Sequence, residues 1–296
     1  MGKVKEVYET DDQGQFEFVF SDRISVFDKI IPSEIPRKGE CLCKTAAFWF
    51  KIAKEAGINS HFLSMPAPNR MRVKRVDVIA DYSKINTSTT NYLIPLEVIA
   101  RYYAAGSLLD RLKEGKVKPE DVGFAPGHIP SYGEKLARPM VEFTTKLEAY
   151  DRNLSEEEAK KISGLTDKEM VNLKKAVLKI DEKIAERVSK SGLIHVDGKK
   201  EFAFDGERRL MIIDTFGTAD EDRWWDAEAH KKGEFVEVSK EMVRKYYRDS
   251  GYHERLMKAR GVDRQEPQIP PLPKDMVEKV SKLYTDLYER MTGEKL

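Results

Sequence analysis

Cysteine is almost absent from this chain, since only Cys41 and Cys43 carry a thiol among 296 residues. Two cysteines at i, i+2 near the start of a helix do not easily bridge each other. The five histidines are scattered along the chain, so a zinc site has no clustered ligands. The sequence therefore excludes a disulfide-stapled fold, and we interpret both cysteines as packing residues.

Long hydrophobic runs and one-sided charge are also missing. No apolar run approaches the roughly 18 residues that span a bilayer, and the first residues lack a signal-peptide pattern. The net charge of +1 favours neither nucleic acid nor an anionic membrane as the main partner. We therefore expect a soluble, cytoplasmic protein that acts on small molecules. Charged residues make up 35% of the chain, a thermophile-like composition in which ion-pair networks replace labile amides.

What the chain does contain is a set of strands followed by longer helices. The runs VKEVYE and QFEFVF, separated by Asp-Asp-Gln-Gly, predict a first β-hairpin. A helix over residues 40–56 and two further strands follow. Strands and helices do not alternate regularly, which predicts an α+β fold. We predict a β-rich N-terminal domain over residues 1–85 and a larger α+β domain over residues 86–296.

The second domain begins with a strand over residues 93–102, and residues 115–140, rich in glycine and proline, are predicted to be a loop. Capping-box spacings at Ser155 and Thr166 predict two helix starts. An acidic hairpin, a helix over residues 239–250, a proline-rich linker and a helix over residues 274–291 complete the chain.

The stretch from residue 193 to residue 225 is the most informative about function. Asp197, Lys199 and Glu201 have the same parity, so they are predicted to share one face of a strand. Carboxylates on a rigid hairpin suit Mg²⁺ bound beside nucleotide phosphates. An exposed acidic hairpin balanced by lysines is the alternative that composition leaves open.

The register of this hairpin decides whether its carboxylates meet. A four-residue turn at residues 205–208 would place Lys199 opposite Asp214 and would make Glu201 its diagonal neighbour. A slip of one residue would move Asp214 to the other face. We therefore predict a Glu201–Asp214 metal pair on the four-residue turn.

Basic side chains that could hold phosphate occur at three places. Lys3 and Lys5 share a strand face, although exposed lysines are usually just solvated, and no Walker sequence is present. Arg101 precedes a Gly-Ser turn whose Ser107 could bind phosphate or simply cap a helix. Arg223 could hold the same phosphate or form a rim salt bridge to a neighbouring aspartate.

Seven short motifs follow one another along the chain. They are residues 2–8 (GKVKEVY), 22–28 (DRISVFD), 38–39 (KG), 99–108 (IARYYAAGSL), 144–151 (TTKLEAYD), 192–202 (GLIHVDGKKEF) and 214–225 (DTFGTADEDRWW). In order and register, these motifs resemble those of the SAICAR synthetase family (phosphoribosylaminoimidazole-succinocarboxamide synthases) of purine biosynthesis. The family's usual acid after the hairpin aspartate is Thr215 here, and His195 replaces an apolar residue. The first departure removes a carboxylate beside the metal pair.

The resemblance implies a SAICAR synthase-like fold with a kinase-like N-terminal lobe and an active site in the cleft. It implies ATP-dependent joining of L-aspartate to the carboxylate of carboxyaminoimidazole ribonucleotide (CAIR), through an acyl phosphate and with Mg²⁺. We also expect a homo-oligomer. A small-metabolite kinase and a nucleotide-binding scaffold are the rival hypotheses.

The resemblance also implies a role for each candidate residue. Mg²⁺ is bound by Glu201 and Asp214, and the ATP phosphates are bound by Lys3 and Lys5. The ribose phosphate is bound by Arg101, Ser107 and Arg223. The residues implied in catalysis are Lys146, Lys199 and Asp197, and those implied in further substrate contacts are Asp22, Ser25 and Asp151.

Overall fold

The chain forms three antiparallel sheets and eight α-helices within residues 4–262 and 265–296, which the computed structural model describes. The strands are β1 (Lys5–Glu9), β2 (Gln15–Phe20), β3 (Arg23–Val26), β4 (Lys29–Glu34), β5 (Phe62–Ala67), β6 (Arg70–Lys74), β7 (Tyr92–Tyr103), β8 (Lys135–Thr145), β9 (Asn153–Leu154), β10 (Leu193–Phe204), β11 (Leu210–Ile213) and β12 (Asp222–Asp226). The helices are α1 (Lys38–Glu55), α2 (Gly106–Lys113), α3 (Glu156–Ser163), α4 (Asp167–Ser189), α5 (Ala227–Lys231), α6 (Glu241–Asp249), α7 (Tyr252–Gly261) and α8 (Lys274–Thr292).

The first sheet has the strand order β1-β2-β6-β5, and its opening hairpin confirms the predicted one. Helix α1 packs against this sheet with a buried apolar stripe that includes Ala46, Phe50 and Ala53. It ends just before Gly57, whose φ of 73° is readily adopted only by a residue without a Cβ. The predicted helix is therefore confirmed, two residues longer at its start.

The second sheet carries the functional hairpin on its long strand β10. That strand pairs with β7 on one side, while β11 and β12 pair with its two halves on the other. Helix α4 covers one face of the sheet with Leu173, Val177, Ile180 and Ile184, all buried. Both predicted capping boxes form, at Ser155 and at Thr166. The opposite face of β10 is left open to a cleft.

The predicted loop over residues 115–140 is wrong in part. Residues 119–122 form a short 3-10 helix, and β8 begins at Lys135. Pro139 lies within β8 and has no N–H to donate. The ladder between β7 and β8 shifts register across this point, between the pairs at Arg101 and Tyr103. The proline and the poor alternation hid this strand.

The arrangement is α+β, as predicted. The first sheet and the second sheet fall on either side of the predicted domain boundary, whereas the main apolar cluster includes residues from both sides, such as Phe50 and Phe216. The domain division therefore stays a prediction. Among the described residues, no helix combines the length and apolarity that crossing a membrane requires.

Candidate active site

A cleft of about 710 Å³ opens between the first sheet and the uncovered face of the second. Most of the predicted site residues line it. Lys3 lies outside the described residues, and Asp22 is not among the lining residues. The predicted residues that line the cleft are Lys5, Ser25, Arg101, Ser107, Lys146, Asp151, Asp197, Lys199, Glu201, Asp214 and Arg223.

The hairpin register differs from the predicted one by one residue. Glu201 is opposite Ile213 and Phe204 is opposite Leu210, so the turn has five residues and the predicted pairing of Lys199 with Asp214 is wrong. Strict alternation would point Asp214 away from the cleft. Strand β11 ends at Ile213, however, and Asp214 adopts a left-handed φ of 60°. This break in the strand returns its carboxylate to the cleft.

Each carboxylate of the predicted metal pair is matched with a lysine. Lys146 Nζ lies 2.6 Å from Glu201 Oε1, and the Lys5 ammonium pairs with Asp214. Burial would raise the pKa of Asp214, but Lys5, Lys146 and Lys199 outweigh it and hold that pKa below its ordinary value. Burial would likewise lower the pKa of Lys146, but Glu201 and Asp214 raise it. Asp214 and Lys146 are therefore charged at neutral pH.

Lys199 stands among three carboxylates. Its Nζ lies 2.7 Å from Glu97, 3.4 Å from Glu221 and 3.6 Å from Glu201. Burial opposes its charge, yet these carboxylates raise its pKa well above the ordinary value.

The sequence reasoning missed Glu97 and Glu221. Glu97 is the single carboxylate of an otherwise buried and largely apolar strand, and that signal could have identified it.

At the other end of the cleft, Asp197 lies between two arginines. Its Oδ2 is 2.9 Å from Arg223 Nη1 and 3.5 Å from Arg101 Nη1. Arg101 also pairs with Glu142 at 2.6 Å. The carboxylate holds both guanidinium groups at this end, where an anion could meet them together. The neighbouring Asp220 forms an ion pair with Lys38, and the partner of Arg223 is Asp197 instead.

Ser107 lies in the first turn of α2 and does not cap it. Ala105 is the N-cap residue, and the Ser107 hydroxyl accepts a hydrogen bond from Arg101 Nη2 at 3.3 Å. The Ser N-cap interpretation is therefore wrong. Gly106 has a φ of 53°, and a Cβ there would lie 2.8 Å from Arg223 Nη2. The glycine allows the arginine to lie against the turn.

Two further cations, Lys240 and Arg244, line the same end and were missed by the sequence reasoning. Both belong to the start of α6, whose Glu241 lies 3.7 Å from Arg223 and 3.1 Å from Arg244. Burial lowers the pKa of Lys240, and Asp220 only partly offsets this effect. A basic first turn on a predicted helix was the only available signal.

The less specific predicted contacts have different surroundings. Asp22 accepts hydrogen bonds from the backbone N–H of Gly39 at 2.9 Å and of Arg37 at 3.3 Å, so it caps the start of α1. Ser25 lies on β3 and lines the cleft. Asp151 lines the cleft after the end of β8.

A buried cluster of Asp181, His195 and Asp222 lies under the second sheet with spacing that could hold a metal ion. His195 Nε2 is 2.7 Å from Asp222 Oδ2. The Lys200 ammonium, however, lies 2.9 Å from the same oxygen and also pairs with Asp181. An ammonium therefore already supplies the positive charge between these carboxylates.

Comparison with known proteins decides the family. A family model described as SAICAR synthetase matches residues 1–259. The chain belongs to the SAICAR synthetase family. The predicted family and the prediction of a ligase are confirmed.

Relatives and solved structures of the SAICAR synthetase family match nearly the whole chain. The phosphoribosylaminoimidazole-succinocarboxamide synthases of Thermoplasma acidophilum and Thermoplasma volcanium are each 54% identical over 99% of this chain and 98% of their own. A SAICAR synthetase (Type-2) solved in complex with ADP is 25% identical, has a TM-score of 0.71, and matches over 100% of this chain and 98% of its own. The fold also resembles the Saccharomyces cerevisiae synthase, with a TM-score of 0.75, 24% identity, and coverage of 100% of this chain and 94% of that one.

Proposed function

We propose that this protein uses ATP to join L-aspartate to the carboxylate of CAIR, giving SAICAR, ADP and phosphate in purine biosynthesis. The observation that carries the proposal is a single cleft with two distinct ends. Lysine–carboxylate pairs line one end, and a group of arginines and a lysine lines the other. Synthases 54% identical over nearly the whole chain support the same reaction.

The residues of the first end fit a magnesium ion. Mg²⁺ prefers oxygen ligands, and the cleft presents the carboxylates of Glu97, Glu201, Asp214 and Glu221 beside the Thr215 hydroxyl. We assign the ion to Glu201 and Asp214, as the resemblance implied. When bound, it would neutralise phosphate charge beside the reacting atoms.

The lysines at this end of the cleft would neutralise the negative charge of the transferring phosphoryl group. Lys5, and by analogy Lys3, would contact the ATP phosphates, and Lys146 and Lys199 would face the γ-phosphoryl group. A carboxylate oxygen of CAIR attacks the γ-phosphorus and ADP leaves, which gives an acyl phosphate. The aspartate amine then attacks the acyl carbon, loses a proton and expels phosphate. Alignment and charge neutralisation are the main contributions of the protein.

The second end would bind the ribose phosphate of CAIR. Arg101, Ser107 and Arg223 are the predicted ligands, and Asp197 orients the two arginines. Lys240 and Arg244 add positive charge at this end. Ser25 and Asp151 remain candidates for contacts with CAIR or aspartate, whereas Asp22 is better explained as a helix cap.

The wider context is part of the proposal. We propose that residues 1–85 form the ATP-binding domain and residues 86–296 the domain that carries the metal and ribonucleotide sites. A homo-oligomeric, cytoplasmic enzyme stays our expectation.

The experiment that tests the function measures ADP release while each substrate is omitted in turn. We expect steady-state release to require ATP, CAIR and L-aspartate together, whereas the acyl phosphate step alone could release at most about one ADP per active site. Many turnovers of ADP from ATP and CAIR without aspartate, with a stable phosphorylated product, would support a kinase. That alternative is not favoured, because the relatives are synthases over nearly the whole chain.

A further inference from the structure

The C-terminal tail, residues 265–296, lies beyond the residues that the family model matches. It is tied to distant parts of the chain. The Ser281 hydroxyl donates to the Pro36 carbonyl at 2.8 Å, and the Leu272 N–H donates to Ser33 Oγ at 2.9 Å. Arg187 of α4 donates to the Met291 carbonyl at 2.9 Å. The tail is therefore fixed against both α4 and the segment that precedes α1.

One side chain of this tail contacts a residue of the cleft wall. Tyr284 of α8 is 2% exposed, and its hydroxyl donates to Asp220 Oδ1. The other oxygen, Oδ2, lies 3.0 Å from Lys38 Nζ and 3.5 Å from Lys240 Nζ. Asp220 and Lys240 both line the cleft, whereas Lys38 is fully buried. The tyrosine is thus one contact away from the cleft wall.

Because Asp220 is ionised, the hydrogen bond from the Tyr284 hydroxyl fixes the orientation of its carboxylate. Burial would raise the pKa of Asp220, but Lys240 and Lys38 hold it below its ordinary value, so the carboxylate is ionised. An ionised carboxylate only accepts hydrogen bonds. With one oxygen bound to Tyr284, the other is directed at the two ammonium groups. The backbone N–H of Lys240 also donates to the Ala219 carbonyl at 3.0 Å, beside the same carboxylate.

We propose that Tyr284 is a positioning residue: by orienting Asp220 it fixes the Lys240 ammonium at the arginine-lined end of the cleft and so strengthens binding of the phosphorylated ribonucleotide. The inference rests on the proposed function in that this end receives the ribose phosphate. It gives the tail a role in substrate affinity in addition to its packing.

A matched control stands one turn further along α8. Tyr288 is also 2% exposed, and its hydroxyl donates to Glu294 at 2.8 Å, within the tail itself. Tyr284→Phe and Tyr288→Phe each remove one hydroxyl that binds a carboxylate, the buried Asp220 in the first case and the exposed Glu294 in the second. We expect Tyr288→Phe to lose less melting temperature, so both variants are compared at a temperature where each is fully folded, and a difference in CAIR affinity then reports on Asp220.

The test compares KM and kcat for the three substrates in both variants. In Tyr284→Phe we expect the KM for CAIR to rise about five- to tenfold, less than the loss of a direct hydrogen bond to a charged group, because Tyr284 acts on the substrate only through Asp220 and Lys240. The KM for ATP should stay within about twofold of the wild-type value, because Tyr284 acts at the end of the cleft that binds the ribose phosphate and not at the end that binds ATP. Tyr288→Phe should leave both KM values unchanged. Equal CAIR affinity in the two variants would overturn the inference.

Two further measurements keep the result interpretable. Calorimetric titration with CAIR alone should show the same loss of affinity in Tyr284→Phe, without any turnover. Asp220→Asn, which retains Tyr284, should weaken the binding of CAIR but not that of ATP. The double variant, Tyr284→Phe with Asp220→Asn, should lose less binding free energy for CAIR than the sum of the two single losses. Failure of the wild-type enzyme to consume CAIR would reject the proposed function. An active wild type with full additivity would reject only the role of Tyr284.

Discussion

The two faces of strand β10 carry similar charges but serve different purposes. Lys199 and Lys200 are neighbours in sequence, and each contacts at least two carboxylates. The Lys199 side chain is 28% exposed and faces the cleft, whereas Lys200 is fully buried against α4. On the open face a phosphate can replace a carboxylate as the partner of lysine. On the closed face the same pairing can only hold the sheet to its helix.

A local irregularity of β10 separates the two sets. The register with β12 shifts between His195 and Asp197, as expected for a bulge. Strict alternation would place both residues on one face. In the structure Asp197 faces the arginines of the cleft, and His195 joins Asp222 in the buried cluster. The bulge therefore directs the side chain of Asp197 into the cleft and that of His195 into the buried cluster.

The largest effect should come from removing a carboxylate on the open face. Glu201→Gln keeps the size of the side chain but removes the charge that pairs with Lys146 and would ligate the ion. We expect kcat to fall by about a thousandfold, since transition-state charge would lose its counterbalance. Steady-state ADP release measures the effect.

Circular dichroism and thermal melting serve as the control for this variant and should show a folded protein. Wild-type turnover in Glu201→Gln would remove the metal assignment.

The adjacent lysines sharpen the comparison directly. Lys200→Met should cost about 3–5 kcal/mol of unfolding free energy, because Asp181 and Asp222 would be left as buried, incompletely paired charges. Its specific activity per folded molecule should change little. Lys199→Met should show the reverse, a strong loss of kcat with a much smaller loss of stability. Urea unfolding and rates on the same samples measure both quantities, and similar behaviour of the two variants would contradict the division of faces.

A smaller effect concerns acid. The lysines around Asp214 hold its folded-state pKa below the ordinary carboxyl value. Such a group adds stability above its unfolded pKa, and this contribution is lost as the pH falls through the folded value. Below about pH 4, the usual carboxyl range, the melting temperature of the wild type should therefore fall more steeply than that of Asp214→Asn. Parallel melting curves from pH 6 to pH 2.5 would show that Asp214 does not contribute in this way.

Local signals predicted the regular elements well. The capping boxes at Ser155 and Thr166, the first hairpin and the long strand β7 depend on neighbouring residues alone, and all are observed. Strand β8 was missed because Pro139 and weak alternation conceal a strand that its neighbour β7 stabilises. Strands β3 and β4, which form a two-stranded sheet, were also missed, and Pro32 lies within β4 as Pro139 lies within β8.

The site was predictable as a set of residues but not as a geometry. Same-face residues such as Lys199 and Glu201 followed from parity, and both line the cleft. The position of Asp214 depends instead on a five-residue turn and on a left-handed φ that no periodicity encodes. Glu97 and Lys240 come from distant segments that only the tertiary fold brings to the cleft.

Gly198 shows how little freedom separates the two faces of β10. A Cβ at this position would lie 1.9 Å from Asp222 Oδ2 and 2.6 Å from Lys200 Nζ, although the residue itself lines the cleft. Any saturation library intended to widen this enzyme's substrate range should therefore leave position 198 unchanged, because even alanine there would displace the buried side chains of Asp222 and Lys200. Diversity is better introduced at Thr215 or Ser25, whose side chains line the cleft and are partly exposed.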